Sequence, residues 1–268
     1  MATVAAPRTP TSPMSGFANI VRSEFCKLRS VRSTLWALLA TVVFNIALAA
    51  LGAIFLPGAL SSDEKATVDV TRLSLAGIHL SQIALGVLGV LVITSEYRTG
   101  MIRATISAVP QRRLLLGGKA IVFAAAALVV ATASCLAAYF VFQAFLSDDA
   151  LRSSISDPGV LRAVTGGGLY LTVLGLLGLG LGAIIRSSAG AIAALFGLLF
   201  VPPLLLQLLP RAWQTTIGPY TPMEAGSQIF IVHPHAASLG AWTGFGLFCL
   251  YAAVALAIGV LLINHRDV

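Results

Sequence analysis

Six uncharged apolar stretches constrain this chain more than any other feature. They run over Leu35–Leu56, Leu73–Thr94, Ala120–Leu146, Leu169–Ile185, Ala189–Leu209 and Leu239–Ile263. Each is near or above the roughly 17–25 residues a helix needs to cross bilayer hydrocarbon. Inside a bilayer every backbone N–H and C=O must be satisfied by the chain itself, which a helix does within one segment. The expected fold class is therefore all-α, a polytopic membrane bundle of six transmembrane helices.

Composition agrees with that expectation. The chain is 57% hydrophobic and 10% charged, whereas soluble domains carry about 25% charged residues. No connection is long enough to hold a second folded domain. Residues 1–15, rich in Pro, Thr, Ser and Ala, read as a disordered tail, and residues 16–268 as one transmembrane domain. The formal charge of +7 does not indicate a nucleic-acid partner, because the basic residues lie beside the spans. Cys135 and Cys249 fall within spans and Cys26 before the first, so no pair is placed for an extracellular disulfide.

The basic residues set the expected orientation. Arg8, Arg22, Lys27, Arg29 and Arg32 precede span one, and Arg98, Arg103, Arg112, Arg113 and Lys119 lie between spans two and three. With Arg186 and Arg266 they make twelve on one side, against five on the other: Lys65, Arg72, Arg152, Arg162 and Arg211. Cytoplasmic connections carry the Lys/Arg excess, so both termini are expected in the cytoplasm of a multi-pass cell-membrane protein.

On that side, Phe17, Ile20, Val21, Phe25 and Leu28 recur at helical spacing, with Arg22, Lys27 and Arg29 on much of the remaining arc. The pattern predicts an interfacial amphipathic helix, its apolar side in the acyl boundary and its cations toward lipid headgroups. Arg22, Lys27, Arg29, Arg32, Arg112, Arg113 and Lys119 are the expected cytoplasmic basic anchors, with membrane lipids as partners. The connection Ser95–Lys119 predicts a short helix from Tyr97 to Ser107, stopped by Pro110. Glu96, at the inner end of span two, needs a cation: Arg98, Arg103 or one from a partner.

The run Glu96-x-Arg98-x-Gly100, then Pro110, Arg112-Arg113 and Lys119 opening the next helix, resembles the cytoplasmic signature of ABC-2 type transporter permeases. Ser23-Glu24-Phe25-Cys26-Lys27-Leu28-Arg29-Ser30 resembles the same family's entry helix. The resemblance extends over nearly the whole chain, through six spans to a broken outer connection before the last. It implies a coupling helix docked on a separate ATP-binding subunit, with the contact on Glu96, Tyr97, Arg98, Gly100, Met101 and Arg103. It further implies an exporter built as a homo- or heterodimer of permease chains. Met101 stands where many members carry Thr or Ser.

ATP and Mg²⁺ are expected on that partner and no cofactor on this chain. A phosphate-binding loop requires Gly, four residues, then Gly-Lys-Ser/Thr. The nearest string, Gly117-Gly118-Lys119-Ala120, has Arg113 where the first Gly belongs and Ala120 in place of the hydroxyl. The chain is thus not expected to be an ATPase itself.

Within the spans, His79, Gln82, Gly86 and Gly89 share one predicted helical stripe. It reads as interhelical packing or, alternatively, as path lining by His79 and Gln82. Gly178-x-x-x-Gly182 and Gly240-x-x-x-Gly244 predict close helix contacts, within the chain or between subunits. The spans carry no central Asp, Glu, Lys or Arg, which disfavours an ion-coupled carrier. In the outer connection, Thr221-x-x-Glu224 with Pro222 predicts a capping box opening a helix through Val232. His233 and His235 have no evident third ligand, so no metal is expected. The alternative to a permease subunit is a stand-alone secondary transporter or channel, with His79 as its protonatable group. An intramembrane protease is disfavoured because His-Glu-x-x-His is absent from the sequence.

Overall fold

The computed structural model describes residues 13–59, 61, 69–101, 112–148, 151–233 and 238–265. Among these, every regular element is helical. Helix α1 (Pro13–Ser30) passes through Val31 into α2 (Arg32–Ala59). A single turn, α3 (Val70–Ser74), precedes α4 (Ile78–Arg98). Then come α5 (Arg112–Phe145), α6 (Val160–Ile185) and α7 (Ser188–Leu206). Two short helices, α8 (Arg211–Ile217) and α9 (Pro222–Ser227), each run on into a 3₁₀ turn, and α10 (Ala241–His265) follows. Six of them (α2, α4, α5, α6, α7 and α10) are long and apolar enough to span a membrane.

Helix α6 is the centre of the bundle, packed against α4, α5 and α10. Apolar burial supplies little drive among helices already surrounded by lipid, so close packing must hold them together. Glycine makes that possible at one critical crossing. A Cβ on Gly89 of α4 would overlap the carbonyl of Gly175 on α6, so the two backbones touch only because that position is bare. Gly178 and Gly182 likewise face α4 within the chain, and Gly244 faces Ala225. Polar bonds join further pairs. Asn45 Nδ2 donates to Ser134 Oγ at 2.8 Å, Ser81 Oγ to Thr41 O at 3.0 Å, and Tyr170 OH to Gln82 Oε1 at 2.7 Å. Such interhelical bonds are worth about 0.6 kcal/mol each in a membrane.

Four boundaries differ most from the sequence expectation. The third span's helix starts at Arg112 rather than Ala120, so Lys119 lies inside it instead of opening it. The second span starts at Ile78 rather than Leu73, because Asp69 caps a separate turn: its Oδ1 accepts the Arg72 N–H at 2.9 Å. The fourth begins at Val160 rather than Leu169. Arg162, whose charge delays the apparent start, is satisfied by backbone: it donates to Ile229 O and Ile231 O, both at 3.0 Å, and to Gln228 O at 3.5 Å. In the outer connection Pro222 does open α9, but the capping box does not form. Thr221 Oγ1 donates to Gly218 O at 2.9 Å instead of accepting from the helix, and the chain tightens to a 3₁₀ turn at Gln228–Phe230. The predicted helix at Tyr97–Ser107 and the Pro110 turn lie largely outside the described residues.

The bundle has two distinct ends. At one meet α1, the last turn of α4, the first turns of α5 and the last turn of α10; this is the basic end. At the other lie α3, α8, α9 and Arg162. There Asp69 Oδ2 accepts the N–H groups of Val232 and His233, tying the first outer connection to the last.

Candidate functional site: a buried charge quartet at the basic end

Four charged side chains from three helices converge at the basic end. Glu24 and Lys27 come from α1, Glu96 from the last turn of α4, and Lys119 from the third turn of α5. Lys119 is only 2% exposed, Glu24 4% and Glu96 6%. Lys119 Nζ donates to Glu24 Oε2 at 2.7 Å and to Glu96 Oε1 at 2.6 Å. Lys27 Nζ donates to Glu24 Oε1 at 2.8 Å and to Glu96 Oε1 at 3.0 Å. Two cations thus bridge two carboxylates in a closed square with no formal net charge.

Burial of this kind is tolerated only when it is paired. Taking ions out of water costs several kcal/mol each, recovered only with good geometry and further hydrogen bonds. Both Glu24 oxygens and both lysines meet the requirement. On Glu96, Oε1 takes both lysines while Oε2 is buried with no hydrogen-bond partner among the described residues. Desolvation opposes the charge on Lys27, but the hydrogen bonds to Glu24 and Glu96 outweigh it and hold its pKa above 10.5.

Local sequence places each member. On α1, Ile20, Glu24 and Lys27 stand at i, i+4 and i+7, one face of a helix. Ile20 seats against Gly118 of α5, where a Cβ would meet its Cγ2 at 2.7 Å. That contact brings Glu24 over Lys119. The inward face of α1 therefore carries Ile20 and Glu24, while Phe25, expected on the apolar side with Ile20, is 56% exposed.

The residues expected to contact a partner separate into two groups. Glu96 is buried in the quartet, and its cations are Lys27 and Lys119 rather than Arg98. Tyr97 is half-buried beneath the Arg186 guanidinium, 5.2 Å from the ring centroid. Arg186 itself caps α6 in a left-handed conformation and donates to Leu262 O on α10 at 3.2 Å. Arg98 and Met101 are exposed. Gly100 between them has a φ of 71°, which a side chain would strain, so the chain bends there by virtue of glycine. Arg103 lies outside the described residues.

The basic anchors divide in the same way. Arg22, Arg29, Arg32 and Arg113 are exposed, and Arg112 opens α5. Lys27 and Lys119 are ion-paired inside. Charge counting treats all seven alike, because only the helix face distinguishes an anchor from a bridge. Glu24 was not singled out by the sequence; its spacing of three from Lys27, on the Ile20 face, is the one local signal for it. At the far end, His79 and Gln82 do not share an environment: His79 is exposed, whereas Gln82 is buried against Tyr170.

The fold and this site define a class: a helical bundle with six helices long and apolar enough to span a membrane, whose first helix α1 is locked to α4 and α5 by buried ion pairs. Compared with known proteins, the chain matches no protein-family model and no curated sequence.

Proposed function

We propose that the chain is the membrane-spanning permease subunit of an ATP-driven exporter. It forms part of the substrate path and takes its energy from a separate ATP-binding subunit that holds ATP and Mg²⁺. The basic end faces the cytoplasm of the cell, and two permease chains pair to complete the path, as the resemblance to ABC-2 permeases implies.

One observation carries the reading. The exposed Arg98–Met101 bend follows directly on Glu96, and Glu96 is bonded to both α1 and α5 through two lysines. A load applied to that bend is therefore delivered to three helices together, without a soft surface contact between. Beside it, Arg186 links Tyr97 to α10. Chains of ion-paired and packed side chains of this kind are one physical route by which a cytoplasmic motion is carried into a bundle.

The test is affinity purification of the full-length chain from its host in mild detergent, with mass spectrometry of what accompanies it. Arg98→Glu and Met101→Asp change exposed side chains outside the quartet, so the bundle is expected to insert and fold as before. The expected result is a stoichiometric ATP-binding subunit with the parent chain and its loss with either variant. Purification without any ATPase, or full retention by both variants, would refute the assignment and favour a stand-alone carrier. Charge reversal at Glu96 is not a clean probe of coupling, because it puts a third cation inside the quartet.

A further inference from the structure

A groove of about 690 Å³ runs along the flank of the bundle, beside the point where Ile20 of α1 seats on Gly118 of α5. Its α1 wall holds Val21, Arg22 and Phe25, and its α5 wall extends from Ile121 to Val130. Nine residues of helix rise about 14 Å, close to half of the ~30 Å hydrocarbon layer. The groove is therefore as long as the acyl region of one leaflet is deep. Phe25, Ile121 and Val129 are exposed along it, while Val122 is buried at its floor. Ala125 and Ala126 leave the space that larger side chains would fill.

Charge supplies the second observation. Among the described residues that line the groove, Arg22 is the one polar member. It is exposed, and no carboxylate among the described residues pairs with it. Glu24, the one acid of α1, is already bonded to both lysines of the quartet. An apolar groove left empty forfeits dispersion contacts along its walls. Water does not fill it, because each water needs two to four polar partners and the walls offer almost none. A span from a second copy would bring no anion to Arg22, since the six apolar stretches contain no Asp or Glu. What satisfies both the walls and the guanidinium is an anion on a hydrocarbon chain.

We propose that this groove holds one phospholipid of net negative charge from the leaflet at the basic end. One acyl chain lies along the α5 wall beneath Phe25, and the phosphodiester meets the Arg22 guanidinium. The arginine stem lines the apolar wall while its head reaches the headgroup level. Its planar fork of N–H donors matches two phosphate oxygens at once. A zwitterionic headgroup already provides its phosphate with an ammonium, so Arg22 adds less there. One cation at a membrane surface contributes enough for about fivefold preference for the anionic lipid. Phe25 then has the apolar cover that the helix pattern predicts for it, from a lipid chain rather than from the bundle. This assignment stands apart from the transport reading: it concerns a lipid held by the chain, whatever the chain transports.

The experiment is native mass spectrometry of the purified full chain in micelles doped with equimolar phosphatidylglycerol and phosphatidylcholine of the same acyl chains. The expected result is one retained lipid, with phosphatidylglycerol favoured about fivefold. Arg22→Gln leaves the groove intact and should bring the two lipids to equal retention. Arg29→Gln removes an exposed cation of the same helix outside the groove and should leave the preference as it is. Ala125→Trp fills the groove from an exposed position and should abolish retention of either lipid. Equal retention by the parent chain, no retained lipid at all, or undiminished retention in Ala125→Trp would overturn the proposal. A preference that falls as far in Arg29→Gln as in Arg22→Gln would also overturn it, reducing the effect to general surface charge. A dimer of the parent chain that holds no lipid and that Ala125→Trp dissociates would give the groove to a second copy instead.

Discussion

Replacing Lys119 by Met should cost far more than the loss of a surface charge. Met keeps much of the length and apolar stem but removes the ammonium that bridges Glu24 and Glu96 at 2.7 and 2.6 Å. Two carboxylates, 4% and 6% exposed, would then share only Lys27. Removing one partner of a buried ion pair typically costs about 3–5 kcal/mol, because the other charge stays buried and uncompensated. For a chain of this size 1 kcal/mol moves the melting midpoint by roughly 2–4 °C, so the expected loss is about 6–20 °C. The assay is thermal unfolding of parent and variant in the same detergent at pH 7. A gap below about 1 kcal/mol would refute the view that the quartet is a buried, mutually dependent network.

Two further outcomes follow from particular contacts. Gly89→Ala should destabilise the bundle by about 1–3 kcal/mol, since its Cβ meets the Gly175 carbonyl, while Gly197→Ala, with open space around it, should be neutral or mildly stabilising; denaturant titration in micelles compares the two. Lys27 is held above its ordinary pKa of 10.5 in the folded chain, so its contribution is complete below about that pH and is lost as pH rises through the higher folded value. Circular dichroism and limited proteolysis across pH 9–12 should show α1 loosening only at the alkaline end, and loosening near neutrality would contradict the pairing.

The six spans were legible in the sequence because the condition that makes them is local. A run of apolar residues of sufficient length satisfies the bilayer without reference to the rest of the chain. The same locality explains where the reading stopped short. Arg162 looked like the boundary of a span, yet it lies inside α6 because carbonyls nearly seventy positions away receive its protons. Thr221 looked like a helix cap, yet its hydroxyl bonds backward to Gly218.

The orientation of each helix about its own axis was not legible. A helix such as α7, apolar on every side, presents no stripe from which an inward face can be read. His79 and Gln82 share a predicted stripe, but only the position of α6 decides that Gln82 meets Tyr170 while His79 stays exposed.

What the chain determined by itself is six segments long and apolar enough to cross a bilayer and a concentration of cations on one side of them. What the tertiary structure alone decided is which of those cations remain at the surface. Lys119 and Glu24 are 95 positions apart, and neither has an opposite charge within its own helix to explain its burial except Lys27 beside Glu24. Only when Ile20 seats on Gly118 do they meet, and desolvation then makes each charge depend on the other.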